Sequence, residues 1–400
     1  MLRPQSVAIT LLLAALAAFS PLSTDLYLAS LPVLATDFHV SVAASQLTLS
    51  AFLAGFAVGQ LVYGSLSDRF GRRPTLLAGM ALYLAATVVC LTAPTIGALI
   101  VARALQAVGA CAPMVISRAI VRDVHGPKEA ARVLSHIASA MTLAPMVGPI
   151  LGSYLTVWYG WRSNFVVLTI FAVLAIAAVL LMLGETHTRK DPDAMKLGYM
   201  ARYLVELARH SVYAGYVLTV TLAFSGIFAF LSGASFVLIQ GFGVPTERFG
   251  LYFAIIVIGY LTGTQISGRL VTRVGIERLV RAGSILLMLA GLGDAALAWT
   301  RVEVPMAVIG PQFFYMIGCG LVMPTGMAGA VGPFPHMAGL ASAILGFVQM
   351  TVAAVVGILV GQLYDGSAVP MASAIAVVGT LSCIAFASLV WRRRATIAHP

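Results

Sequence analysis

Apolar residues run through this chain in twelve long blocks, at roughly 7–30, 45–65, 75–93, 97–118, 134–157, 164–184, 211–238, 249–270, 279–299, 304–327, 338–362 and 370–391. Each block is close to the ~20 predominantly apolar residues that an α-helix needs to cross a bilayer. The gaps between them are short, which leaves no room for a large extramembrane domain. The ten-residue alternation of a membrane β-barrel is absent. The first block is too long for a signal-peptide core and no small-residue cleavage site follows it, so it reads as a retained first helix. The longest polar stretch, Glu185–His210, carries Arg189, Lys190, Asp191 and Asp193 and then a helical apolar pattern at Met195, Met200, Tyr203, Leu204 and Leu207. The pattern predicts an all-α membrane protein of twelve transmembrane helices. Residues 1–185 form one six-helix half, 186–210 a cytoplasmic linker with a short amphipathic helix, and 211–400 a second half ending in a basic tail.

Composition adds that 60% of residues are hydrophobic and 10% charged, against about a quarter charged in a soluble domain. The net charge of +10 would suggest nucleic acid if it were spread over a surface, but its placement argues otherwise. Of the 24 lysines and arginines, all except Arg103, Arg162, Arg248 and Arg301 fall in the termini and in loops on one side of the predicted topology. That bias puts both termini in the cytoplasm. The four tryptophans, Trp158, Trp161, Trp299 and Trp391, fall at predicted helix ends, where amphipathic rings favour the interface. Cys90, Cys111, Cys319 and Cys383 all lie inside spans without metal-ligand spacing, as small packing residues do.

The two halves share a motif. Gly64, Leu66, Arg69 and Gly71 after the second block match Gly268, Leu270, Arg273 and Gly275 after the eighth at one constant offset. Duplicated halves place a binding site at their interface near the bilayer midplane. Short basic loops also look alike from topology alone.

The loop 64–73 (Gly64, Asp68, Arg69, Gly71, Arg72, Arg73) closely resembles the cytoplasmic signature of the major facilitator superfamily. The resemblance implies the major facilitator fold, with this loop and Asp123 forming a conformational latch between the halves. In the second copy Thr272 replaces the acid, so only the first half keeps a charged latch. Arg103, Gln106 and Gly109 are similar to the fourth-span motif of the family. Pro145, Gly148, Pro149 and Gly152 resemble the Gly-Pro motif of its proton antiporters, with Ser153 for the last glycine. Asp25-Leu26-Tyr27-Leu28 with Pro32, and the stretch from Ala338 to Gln349, look like the drug exporters of the bicyclomycin and chloramphenicol resistance (Bcr/CflA) branch. That branch implies a bacterial inner membrane, substrates that include drugs, and no cofactor beyond a proton gradient.

An ionisable side chain inside a membrane costs about 2.5–3.5 kcal/mol on insertion scales and is a functional candidate for that reason. The clear cases are Asp25, Arg103 and Asp294, with Arg118 near a helix end. Asp25 can cross the bilayer neutral with a proton, whereas ionised it needs a cation beside it; the alternative is that it caps the kink before Pro32 or pairs permanently with Arg103. Arg103 stays charged at any relevant pH and serves either as partner to Asp25 or as a snorkelling interface residue. Asp294 reads as structural, near the outer interface. Gly148 and Pro149 form either a stiff hinge beside the cavity or ordinary small-residue packing, as at Gly55/Gly59, Gly259/Gly263 and Gly357/Gly361. Tyr27, Gln106 and Gln349 are the chosen cavity residues. Ser225, Ser232, Gln240, Gln312 and Tyr315 are weaker choices, each more often a helix–helix hydrogen bond.

No phosphate loop, His-Glu-x-x-His or Gly-x-Ser-x-Gly is present, which removes ATP as energy source and two intramembrane hydrolase signatures. No arginine-rich voltage sensor or pore filter is visible. The sequence thus predicts a monomeric, proton-coupled small-molecule exporter and not an enzyme. The rival readings are a metabolite exporter or proton symporter of the same fold, and a non-transporting membrane receptor.

Overall fold

The computed structural model describes residues 6–187, 207, 210–334 and 337–391. Among them the chain is helical, without strands. Ten helices are long and apolar enough to cross a membrane, and a bent pair at the start would make an eleventh span. The remaining apolar block falls in a 33-residue helix, Pro127–Tyr159. The linker helix expected at 186–210 and the basic tail lie almost wholly outside the described residues.

The chain divides into two compact units. The first comprises the residues up to Val40 together with Ala51–Lys196, and the second comprises Ser41–Ser50 with Leu197–Pro400. The expected boundary in the linker is therefore crossed by one short stretch. Within the second unit, Gln46 of that stretch donates its side-chain amide to the Ser232 carbonyl at 2.6 Å.

The first unit holds α1 (Val7–Ala17), α2 (Phe19–Asp25), α3 (Leu31–Asp37), most of α4 (Val42–Phe70), α5 (Arg72–Thr92), α6 (Ile96–Val124), α7 (Pro127–Tyr159) and α8 (Arg162–Met182). The first block is not the single helix expected. It breaks at Ala18, bends by 40° and passes through a 3₁₀ turn, Leu28–Ser30. Proline explains both irregularities: Pro21 and Pro32 lack the N–H that would bond the carbonyl four residues back, and their rings crowd that carbonyl. Hydroxyls bond back to other carbonyls of the same stretch. Ser23 donates to Phe19 O at 2.6 Å, and Thr24 lies 3.0 Å from Pro21 O.

The second unit holds α9 (Ser211–Ser235), α10 (Thr246–Val274), α11 (Ile276–Trp299), α12 (Pro305–Val331), α13 (Ala338–Gln362) and α14 (Val369–Ala385). Wider π-helical turns extend α9 through Gly241 and α14 through Trp391. The repeated loop has one backbone geometry in both units: Gly71 has φ 107° and ψ 157°, and Gly275 has φ 86° and ψ 159°. Positive φ is open to glycine at no steric cost.

Lipid supplies no hydrophobic drive between helices, so contact depends on close approach at small residues. Gly55 and Gly59 of α4 face Ala104 and Cys111 of α6, and Gly259 and Gly263 of α10 face the carbonyls of Phe313 and Ile317. These pairs act as the packing residues expected of them. The four cysteines are unbridged. Trp158 and Trp299 are each 67% exposed, as interface rings are, but Trp161 is 1% exposed. Its indole N–H donates to Asp37 at 2.8 Å, so it serves the interior of the first unit instead.

The tightest approach to a backbone atom pairs Gly152 of α7 with the carbonyl of Leu26 in the broken span; a Cβ there would collide with that backbone. Gly97 has no atom within 4 Å of an added Cβ. Overpacking against an immovable neighbour costs roughly 1–3 kcal/mol. Gly152→Leu should lower the thermal unfolding midpoint in detergent by several degrees while Gly97→Leu leaves it in place; equal effects would show that the Leu26 contact is not a tight one.

Candidate functional site

Six of the singled-out residues, Asp25, Tyr27, Arg103, Gln106, Gly148 and Gly152, lie in the first unit where α6 and α7 meet the broken first span. Arg103 of α6 is completely buried, contrary to a snorkelling role. Its Nη1 donates to Ser23 O at 2.9 Å and to Gln106 Oε1 at 2.7 Å. The guanidinium carbon lies 4.6 Å from the centre of the Tyr27 ring and 4.4 Å from that of Phe52, with Phe165 at 5.9 Å. Nε and Nη2 have no hydrogen-bond partner. A desolvated cation over an aromatic face gains about 2 kcal/mol, so the rings do part of the work a counter-ion would do.

Asp25 ends α2 and is 4% exposed. Its Oδ1 accepts from the Thr24 hydroxyl at 3.2 Å. A Cβ added to Gly148 would stand 3.1 Å from the Asp25 Cβ. The Pro145–Gly152 motif therefore lies directly against the acid, through Gly148 at Asp25 and Gly152 at Leu26. Ser153, where the family motif has glycine, donates to Pro149 O at 2.6 Å. Among the described residues Asp25 and Arg103 form no ion pair, so the expected partnership is not closed in this structure. The link between them is short: Arg103 is bonded to the carbonyl of Ser23, two residues before the acid.

Gln106 was expected in a substrate cavity. Instead its amide lies wholly inside the unit, accepting from Arg103 and donating to Thr87 at 2.9 Å. Tyr27 is also fully buried, its ring shared between Arg103 and Phe165. Tyr83, which sequence reasoning missed, closes the network by a 2.7 Å bond between its hydroxyl and that of Ser23. Nothing in the pattern singled out a tyrosine among the apolar residues of α5.

In the second unit Gln349 is buried on α13 and Gln240 is exposed. Ser225 and Tyr315 have ordinary internal partners, Thr221 O at 2.8 Å and Ala223 O at 3.2 Å. Arg118 of α6 is half-buried with Nη2 3.8 Å from the sulfur of Met141. Asp294 is buried, 1% exposed, five residues before the end of α11 at Trp299.

The signature loop forms a second cluster. Arg72 reaches Asp68 at 2.5 Å and Asp123 at 2.7 Å, as charge-assisted pairs do. Arg69 lies over the Phe70 ring at 5.4 Å, and Arg73 donates to Leu180 O at 3.0 Å. Sequence reasoning missed Glu185. Its two oxygens accept from the backbone N–H groups of Arg72 at 3.0 Å and Arg73 at 3.2 Å, and Oε1 also accepts from Thr186 and His187 at 2.9 Å. Gly71 offers no side-chain cap to α5, and a carboxylate suits the positive end of a helix dipole. Asp68 pairs with arginine and leaves the capping to Glu185. The signal was present only as the acid that opens the polar linker. All these partners belong to the first unit.

Comparison with known proteins gives the same picture. The chain matches the pattern of the Major Facilitator Superfamily over residues 13–358. It is 31% identical to a bicyclomycin resistance protein homolog of Haemophilus influenzae, aligned over 96% of both chains. It is 30% identical to a chloramphenicol resistance protein of Pseudomonas aeruginosa over 84% of this chain and 80% of that one. Its fold is similar to that of the inward-open xylose transporter of Escherichia coli, with a TM-score of 0.74 at 17% identity over 96% of both chains.

Losing the cap of a helix costs about 1 kcal/mol, or roughly a fivefold change in an opening equilibrium. Glu185→Ala should speed hydrogen exchange at the amides of Arg72 and Arg73 by about that factor, leaving the middle of α5 unaffected; unchanged exchange at both amides would remove Glu185 as the cap.

Proposed function

Since the chain belongs to the Major Facilitator Superfamily, and is thereby a multi-pass membrane transporter of small molecules and not an enzyme, we propose that it exports small, moderately apolar compounds, drugs among them, from a bacterial cell in exchange for protons. The observation that carries this reading is the placing of Asp25: a buried acid at the break in the first span, flush against Gly148 and two residues from a carbonyl that holds a buried arginine.

The chemistry follows from the two ionisable groups. With a proton, Asp25 is neutral and Arg103 rests against its aromatic rings, as it does here. Without one, the carboxylate needs a cation, and two nitrogens of Arg103, Nε and Nη2, are unoccupied. Loss of the proton thus favours swinging the guanidinium from the rings toward the acid. That movement pulls on Ser23 and Gln106 together, which couples protonation to the packing of the broken span against α6. Alternating access then exposes the acid to the outer side for loading and to the cytoplasm for release. The resident membrane is the inner membrane and the working unit a monomer.

The names of the relatives, bicyclomycin and chloramphenicol resistance, support drugs as substrates. The proton gradient suffices as a drive. One proton moving down 100 mV releases about 2.3 kcal/mol, and about 1.4 kcal/mol sustains a tenfold gradient.

Dye or drug efflux from energised cells tests the reading. Wild-type efflux should collapse with a protonophore, and Asp25→Asn should abolish it without loss of folded protein in the membrane. Efflux that survives Asp25→Asn but not the protonophore would put the coupling acid elsewhere. Proton movement in the same direction as substrate would convert the exporter into a symporter.

The Arg103 charge can be tested for stability as well as transport. A buried cation lacking a carboxylate partner is a weak stabiliser, so Arg103→Met should keep the unfolding midpoint within a few degrees of wild type while uncoupling substrate from proton flow. Gross unfolding of this variant would make Arg103 a structural residue.

A further inference from the structure

Asp294 of α11 has no role in the mechanism above, yet it is an acid inside the second unit. It lies on the α11 stripe formed by Gly283, Leu287 and Gly291, which packs against α12 and α14: Gly283 faces Leu321 and Val322, Leu287 faces Gly318, and Gly291 faces Ile375 and Ala376. Neither carboxyl oxygen has a hydrogen-bond partner. The helices packed around it offer no counter-charge. α9, α12 and α14 contain no Asp, Glu, Lys, Arg or His. Their titratable side chains are Tyr213, Tyr216, Tyr315, Cys319 and Cys383; Tyr213, Tyr315 and Cys319 donate to the carbonyls of Ala341, Ala223 and Ala223. α10 carries Glu247, Arg248, Arg269, Arg273, Tyr252 and Tyr260, and none of these bonds to Asp294. On α11 itself the nearest charge, Arg281, stands about 20 Å away along the axis at ~1.5 Å per residue.

The helix register places a second orphaned side chain at the same height. Leu287 is level with Gly318, and α11 and α12 run antiparallel. Two turns beyond Leu287, Asp294 is therefore level with Pro311 and Gln312. Gln312 is fully buried, and neither its amide nitrogen nor its amide oxygen has a partner. Two orphaned polar side chains thus stand at one height on adjacent helices. An amide suits an acid in both protonation states: its oxygen accepts from a neutral carboxyl, and its nitrogen donates to a carboxylate. Pro311, having no N–H, also leaves the Ala307 carbonyl without its helical donor, toward the outer end of the same helix. Asp294 is only five residues, or about 7.5 Å of helix, from Trp299 at the outer end.

We propose that Asp294 and Gln312 form a second proton-binding site, in the second unit, that takes a proton from the outer solution and returns it during the transport cycle. The step is a protonation: hydronium gives its proton to the Asp294 carboxylate, leaving water, and the reverse step restores the ion, with Gln312 turning its amide to suit. The part this site plays in coupling rests on the proton-antiport reading; its ability to bind a proton does not.

Infrared difference spectra of the purified, reconstituted chain between acid and alkaline buffers test the site directly. The carboxylic-acid carbonyl band lost on alkalinisation should contain one component removed by Asp294→Asn and another removed by Asp25→Asn. Gln312→Leu should shift the Asp294 component without deleting it, which guards against a variant that merely misfolds. In the same vesicles, Asp294→Asn should reduce the charge moved per substrate by one proton. An Asp294→Asn spectrum identical to wild type would mean that Asp294 keeps its proton throughout, and overturns the proposal. If Asp25→Asn leaves coupling intact while the Asp294 component is present, the antiport reading at Asp25 fails and the second site stands.

Discussion

A guanidinium cannot shed its charge inside a membrane, so whatever surrounds Arg103 must hold a full positive charge out of water. The first unit does this with the ring faces of Tyr27, Phe52 and Phe165, the carbonyl of Ser23 and the amide of Gln106. Each of these depends on another piece of the fold. The carbonyl is presented by a span that two prolines have broken; the rings come from that span, α4 and α8; and Gln106 is steadied by Thr87 of α5. Five elements of the unit are thereby organised around one cation. No carboxylate among the described residues pairs with Arg103, which leaves the nearby acid of the broken span, Asp25, able to exist with or without a proton.

The break in the first span also decides how α7 is used. A regular helix would present side chains to α7, whereas the irregular stretch at Asp25 and Leu26 presents backbone, and backbone can be approached only by residues without a side chain. Gly148 and Gly152 meet that need. The antiporter-like motif is thus the complement of the irregular span. A change on either partner displaces the acid itself.

The helices could be read from the sequence almost throughout, because apolar runs of membrane-spanning length have few alternatives. The break at Ala18 could not be placed, although Pro21 and Pro32 were visible, because proline shows that a helix is perturbed without showing where the chain bends. Within the site, Asp25 and Arg103 were legible as charges in hydrocarbon, and the Arg72 pairs as a charged loop. Tyr83 and Glu185 were not, since one looks like any aromatic in a span and the other like any acid in a linker. Gln106 was found without its bonds to Arg103 and Thr87: polarity in a span marks a residue as engaged without telling a ligand from a neighbouring arginine. The unpartnered state of Asp294 and Gln312 could be read only from the packed helices.

The contacts around the signature loop of the first unit have an order in time. Arg72, Asp68 and Asp123 are joined by Glu185, and His187 lies 3.9 Å from Asp123. Every participant precedes α9 in the chain. As the chain leaves the ribosome, the ends of the second, third, fourth and sixth apolar blocks can therefore lock together before any helix of the second unit has been made. By contrast Ser41–Ser50, which belongs with the second unit, must wait for α9. The nascent protein thus holds one finished end of its first unit, while the opposite end of α4 stays unfinished for as long as translation of the second half takes.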